Sequence, residues 1–248
     1  MPDYGHMLYM IEIHSVEGIR HYFKEGGSPN EVHGGVPLFT TMVEMYLRSP
    51  RFKNCIQAFM DAGLEFDDPV LLAVLNDDAE KLEAFIQSDV SIVHKSYSRF
   101  NNTFTSLNGG SLLHYCAEYN HVESAKVLVK HGADINARAG IDEYGFGGHT
   151  PIFHTVCQVL NNSQEILDYL LNLHPDLNIS VKGLIWGKGY EWETFIPAVN
   201  ALSYAMMGLL PQMHRDPVIV KNMVSLLLIK AYGIDFTPPN VPNAYLNH

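Results

Sequence analysis

Gly109 to Asn136 reads GGSLLHYCAEYNHVESAKVLVKHGADIN, and this stretch decides what kind of chain it belongs to. Leu112, Leu113, Cys116 and Ala117 recur at i, i+1, i+4 and i+5, on one narrow face of a short helix. Asn120 and His121 interrupt the pattern, and Val122, Ala125, Leu128 and Val129 resume it for a second helix. Gly132 follows Lys130 and His131, as expected of a left-handed residue just past a helix end. Helices this short are marginal alone in water, and one apolar stripe each cannot enclose a core. The unit therefore requires neighbours to stack on.

Ser111-Leu-Leu-His114, Ala117, Leu128-Val129 and Gly132-Ala-Asp-Ile-Asn136 resemble the ankyrin repeat, with Ser111 at its threonine and His114 at its histidine. Leu112 departs from the family's proline at the first helical position, which Thr150-Pro151-Ile152 supplies in the next copy. The resemblance implies an all-α ankyrin-repeat solenoid of about six helix-turn-helix units with enlarged hairpin loops. It also implies a non-catalytic module that binds a protein or peptide through its loop edge or concave face. His114 becomes, on the same resemblance, a hydrogen-bonding link between helix and hairpin.

Outward from this unit the other segments read as worn copies. Met7, Leu8, Met10 and Ile11 open the first, Ser15 is placed as the N-cap of its second helix, and Gly26-Gly-Ser-Pro-Asn30 ends it. Val36-Pro37-Leu38-Phe39 opens the second, whose outer helix runs from Phe52 to Met60 and stops at Gly63. Asp68-Pro69-Val70-Leu71 opens the third, with Glu80 to Gln87 as its second helix and little room for a hairpin between Gly63 and Asp68. The fifth begins at Thr150, resumes at Glu165 to Asn172, and has His174-Pro175 in place of a terminal Gly-Ala. The sixth runs from Asn200 to Met206 and from Val218 to Lys230, before Gly233. A single domain over 1–248 follows, with units near 1–31, 32–66, 67–105, 106–144, 145–190 and 191–237 and an irregular tail over 238–248.

These copies start near residues 5, 36, 68, 111, 150 and 200. The first two intervals sit close to the ankyrin period of about 33 residues, and the later three exceed it. Most of the excess falls in residues 91–110, 137–149 and 179–199. By resemblance these are hairpin positions on one edge of the stack, so the three enlarged loops are expected side by side.

An apolar fraction of 47% suffices for a buried core, and a net charge of −11 argues against wrapping a nucleic-acid backbone. Cys55, Cys116 and Cys157 form no CxxC pair, which points to a reducing compartment, and Cys116 reads as a small buried thiol. The N-terminus lacks a basic leader, and Leu226 to Ile229 falls far short of the roughly 20 residues of a membrane span. The expectation is a cytoplasmic protein with a protein partner, and with neither nucleic acid nor membrane as partner.

The three long loops hold most of the unusual chemistry. Tyr97, Arg99, Phe100 and Phe104 lie in the first, Tyr144 and Phe146 in the second, and Trp186, Tyr190, Trp192 and Phe195 in the third. Lys95, Arg99, Arg138, Lys182 and Lys188 against Asp142, Glu143, Glu191 and Glu193 give the loops about +1, leaving −12 for the rest. Aromatic rings beside arginine are the usual anchors of protein interfaces. The expected contact set is therefore Tyr97, Arg99, Phe100, Phe104, Tyr144, Phe146, Trp186, Tyr190 and Trp192, with inward folding of these rings as the competing outcome. No cofactor, metal site or catalytic residue is expected. His149 and His154 are five apart, which is not the spacing that aligns two imidazoles on one helical face. Glycine-rich stretches match no phosphate-binding loop, and Asp67-Asp68 and Asp77-Asp78 read as caps at turns and helix starts. Two alternatives remain at this level. One is an enzyme, or a small-molecule or metal-binding protein, with a pocket under the loops using His149, His154 or Asp142. The other is an acidic inhibitor of a basic partner.

Overall fold

The structure, a computed structural model, describes residues 3–101, 103–156, 162–186, 191, 193–206 and 216–239. Along the chain run α1 (Tyr4–Glu12), α2 (Val16–Lys24), α3 (Leu38–Glu44), α4 (Phe52–Asp61), α5 (Pro69–Leu75) and α6 (Ala79–Ser88). They are followed by α7 (Leu112–Tyr119), α8 (Val122–Lys130), α9 (Gln164–Asn172), α10 (Ala201–Met206) and α11 (Pro217–Tyr232). Short 3-10 helices cover Val90–His94 and Pro151–Thr155. Strands are β1 (Val32–His33), β2 (Val36–Pro37), β3 (Ser96–Tyr97), β4 (Gly110–Ser111), β5 (Val181–Trp186) and β6 (Thr194–Val199). They pair only as the antiparallel hairpins β1-β2, β3-β4 and β5-β6, so among the described residues no central sheet exists. This is an all-α repeat fold.

Local chemistry sets the helix ends. Ser15 accepts from the Gly18 N–H (3.3 Å), Asp68 from Leu71 (2.9 Å) and Asp78 from Lys81 (3.1 Å), each satisfying a free first-turn donor. In α7 the Ser111 N–H donates to His114 Nδ1 (3.0 Å). Asn120 turns the chain with φ 61°, and Gly132 ends α8 with φ 89°. His174 takes the same left-handed conformation (φ 56°) where glycine stands in the central unit.

Four details differ from the sequence pattern or sharpen it. Pro37 is the residue before α3, held in β2, rather than its first helical residue. The long connection after α6 carries the 3-10 helix Val90–His94. β5 and β6 pair antiparallel, with Val181 opposite Val199 and Trp186 opposite Thr194. Residues 62–68 form no strand. There Asn30 accepts from Glu65 N–H (2.8 Å) and donates to the Gly63 carbonyl (3.0 Å), replacing ladder bonds with one side chain.

All eight residues of α7 are buried, because α5 packs on one flank, the helix Pro151–Thr155 on the other, and α8 behind. Buried apolar side chains form one cluster from Met7 to Leu170 and a second from Phe104 to Leu227. α9 is the wall between them, giving Ile166 and Leu170 to the first and Leu167 and Leu171 to the second. Cys55 and Cys116 are buried free thiols, and burial pushes Cys55 up to about 12, which keeps it unreactive. Cys157 lies outside the described residues. Among the described residues no helix is long and apolar enough to cross a membrane.

Candidate functional site

Residues 103–111, 138–149 and the β5-β6 hairpin meet along one edge through backbone hydrogen bonds. Gly140 N–H donates to Asn108 O (2.8 Å), Ala139 N–H to His149 O (2.9 Å), and Gly147 N–H to Gly183 O (2.9 Å). The approach is close enough to need glycine. A Cβ on Gly109, whose φ is 67°, would stand 2.5 Å from both the Cα and the N of Gly140. Gly132 shares the positive φ but has nothing within 4 Å of that position. Gly109→Ala is thus expected to lower stability by clearly more than Gly132→Ala, whose cost is the left-handed conformation alone, about 1–2 kcal/mol. Urea midpoints of the two variants measured side by side check this.

Beneath the edge runs a buried polar chain. Arg48 Nε and Nη2 donate to Glu118 Oε1 (2.8 and 2.6 Å). His154 Nδ1–H donates to Glu118 Oε2 (2.7 Å), and His154 Nε2 lies 3.2 Å from His149 Nε2. His149 Nε2 also lies 2.9 Å from the Ser106 carbonyl, an obligate acceptor, so this nitrogen carries the proton and Nδ1 is a bare lone pair. His114 Nε2–H donates to the His149 carbonyl (3.2 Å), linking α7 to the next loop as the sequence resemblance implies. Arg48 further donates to the Met45 and Leu47 carbonyls and lies 4.8 Å over the Tyr119 ring. Burial alone would raise the Glu118 carboxyl; Arg48 foremost, with His154, outweighs it and holds the group below the usual carboxylate range. Burial, reinforced by the neighbouring His154, pushes His114 down to about 3 and His149 well below 6.5.

On the outer side of the edge three rings touch in a row. Tyr144 is 74% exposed and its ring stacks on half-buried Phe146 at 6.2 Å. Phe146 in turn meets Phe195, 47% exposed, at 4.6 Å. Ile141, whose backbone bridges to Gly147 next to Phe146, is also exposed. Asp142 Oδ1 accepts from the Tyr144 and Phe146 N–H groups (3.0 and 2.9 Å), which fixes the turn presenting both rings. Between this turn and β5 lies a cleft of about 60 Å³, lined in part by Ser106, Asp142, Phe146, His149, Leu184 and Tyr204.

The other expected contact residues are placed differently. Phe100, Phe104 and Trp186 are 6%, 7% and 3% exposed and fold into the two cores, covering their own loops. Tyr97 is half-buried against the first core. Arg99 pairs with Asp67 (2.7 Å) and lies over the Phe66 ring at 5.1 Å. Tyr190 and Trp192 lie outside the described residues. Arg48, Glu118 and Ile141 were not singled out by sequence reasoning. A usable signal existed for Glu118 alone, a charge in a helix whose neighbours Cys116, Ala117 and Tyr119 are all apolar or aromatic.

Among the described residues no group of three or more His, Cys, Asp or Glu side chains is arranged to hold a metal ion. A comparison with curated proteins returns no match. A family model described as "Ankyrin repeats (3 copies)" matches residues 51–139 and 70–182, together just over half of the chain. With the paired short helices, their glycine stops and the hairpins between them, that match places the chain in the ankyrin repeat family.

Proposed function

We propose that this chain is a non-catalytic interaction module, a single cytoplasmic stack of about six repeat units. It takes a protein or peptide on the edge formed by Tyr144, Phe146 and Phe195, and needs no cofactor. The observation that carries this reading is the contiguous ring row held on a hydrogen-bonded frame. Ankyrin repeats are in general protein-binding modules, and exposed aromatics clustered on a rigid frame are the usual hot spots of such surfaces. Tyr97, Arg99, Tyr190 and Trp192 are flanking candidates. Phe104 and Trp186 pack together in the second core behind β5, while Phe100 packs on Phe39 and Phe66 in the first.

Affinity capture from native cell extract should lose its specific partner when Tyr144 and Phe195 are both changed to alanine. Each ring contributes about 2 kcal/mol in an interface of this kind, so the double variant binds at least about 100-fold more weakly. A capture pattern unchanged by the double variant would move the contact to the helical groove or the convex face. A second reading rests on the net charge of −11, which fits an acidic inhibitor of a basic partner. It requires binding that weakens steeply with salt. The pocket-enzyme reading has less support. The clefts beside the buried chain are about 60 and 90 Å³, against roughly 300–1,000 Å³ for ligand pockets. The roomier concavity of about 340 Å³ is an open groove between α2 and α4.

A further inference from the structure

We infer that the cleft beside Phe146 receives the side chain of a lysine from the bound partner, an inference that rests on the proposed interaction edge and names the chemistry of its partner. The cleft's lining holds two unused acceptor atoms, on Asp142 and His149. Asp142 Oδ1 is occupied by two backbone N–H groups, which leaves Oδ2 to accept from a ligand. His149 is 1% exposed, and its Nδ1 has no hydrogen-bond partner among the described residues. Because Nε2 carries the ring proton, that buried nitrogen can only accept. Such an unmade bond is costly unless a donor arrives. Of the hydroxyls in the lining, those of Thr105 and Tyr204 bond each other (2.8 Å) and Ser106 Oγ accepts from the Asn108 N–H (3.2 Å); none of the three donates to His149 Nδ1. Arg138 is bonded to the Gly148 carbonyl, and the Lys182 side chain lies against the turn at Gly145 without forming an ion pair to Asp142.

The remaining lining, Phe146, Leu184 and Ile185, is apolar. An ammonium on a flexible methylene stem fits this division, with the stem along the rings and the head between carboxylate and imidazole. Size agrees as well: a water-sized group needs about 10–15 Å³ on this measure, so about 60 Å³ admits a solvated ammonium head and little more. The row Tyr144, Phe146 and Phe195 at the mouth would then hold the residues on either side of that lysine.

The test is a selection from a random peptide library displayed on phage against the full chain, followed by affinity measurement on synthetic peptides. Selected peptides are expected to carry a lysine beside apolar residues and to lose binding to the Tyr144→Ala/Phe195→Ala variant. Replacing that lysine by norleucine should weaken binding about 10-fold or more. Asp142→Asn, which keeps Oδ1 for the turn and removes the charge, should weaken it similarly, and the two losses should not add. The melting temperature of Asp142→Asn should stay near wild type. Peptides that depend on the rings but tolerate both norleucine and Asp142→Asn overturn the lysine inference and leave the edge standing. A selection yielding no ring-dependent peptide overturns both. Tight binding of Zn²⁺ alone, shifting the His149 imidazole nitrogen-15 resonances, would overturn the inference in favour of a metal.

Discussion

Glu118→Ala is expected to cost about 3–5 kcal/mol of folding stability, the range for removing one partner of a buried ion pair. The carboxylate, 2% exposed, is the common acceptor of Arg48 Nε, Arg48 Nη2 and His154 Nδ1. Alanine removes that acceptor from three buried donors at once and leaves the guanidinium charge without its counter-ion. A domain holding about 5–15 kcal/mol in total keeps only part of it after such a change. The pair itself is weak evidence of net stabilisation, since desolvating two ions costs nearly as much as their attraction returns. Arg48→Met combined with Glu118→Leu is therefore expected to recover most of the loss. Urea denaturation followed by circular dichroism, read as midpoints for both singles and the double, decides it. A Glu118→Ala loss below about 1 kcal/mol would mean that water reaches the pair. Because Glu118 and His154 connect Arg48, in the turn before α4, to the loop at His149, the single variant should also loosen the ring row of Tyr144, Phe146 and Phe195.

The repeat architecture was legible because each helix pair solves the same problem with the same residues. Apolar positions at i, i+1, i+4 and i+5 must face a neighbour, and Gly63, Gly132 and Gly233 each take the left-handed turn that ends a unit. The candidate edge was legible only in part. Phe104, Trp186 and Tyr144 are alike in composition, yet the first two sit in the second core, with ring centroids 5.1 Å apart, while Tyr144 faces water. What separates them is which loop closes over which, and that is fixed by long-range contacts such as Gly147 to Gly183. Arg48 was invisible for the same reason. Its partner lies 70 residues on, and neither spacing nor periodicity links the two. The histidines give the opposite lesson. The separation of His149 and His154 in sequence says nothing of their partners, whereas in the fold each is committed to a hydrogen bond set by the buried chain.

That commitment predicts a steep acid transition. His14 and His114 are pushed down to about 3, His121 to about 4, and His149 well below 6.5, in each case chiefly by burial. In the unfolded chain the same rings titrate near 6.5. Above that value neither state binds these protons, and the full stability is present. Below 6.5 only the unfolded state binds them, so stability falls as pH falls; His121 stops adding to the loss below about 4, and His14 and His114 below about 3. Each ring contributes about 1.4 kcal/mol per pH unit in that window, so four give roughly 5 kcal/mol per unit. A chain of ordinary stability therefore unfolds within roughly 1–3 units below 6.5. Glu118, whose folded-state pKa is depressed, adds to the loss at the acid end, because protonating it breaks its bonds to Arg48 and His154. Stability measured by urea titration at a series of pH values should show uptake of about four protons on unfolding near pH 5. His121→Asn should lower that number by about one, since His121 Nε2 has no partner among the described residues and its removal leaves the Glu118 chain intact. Uptake of fewer than two protons would show that these rings are already charged in the folded chain, and that the hydrogen-bond directions assigned to His114 and His149 are wrong.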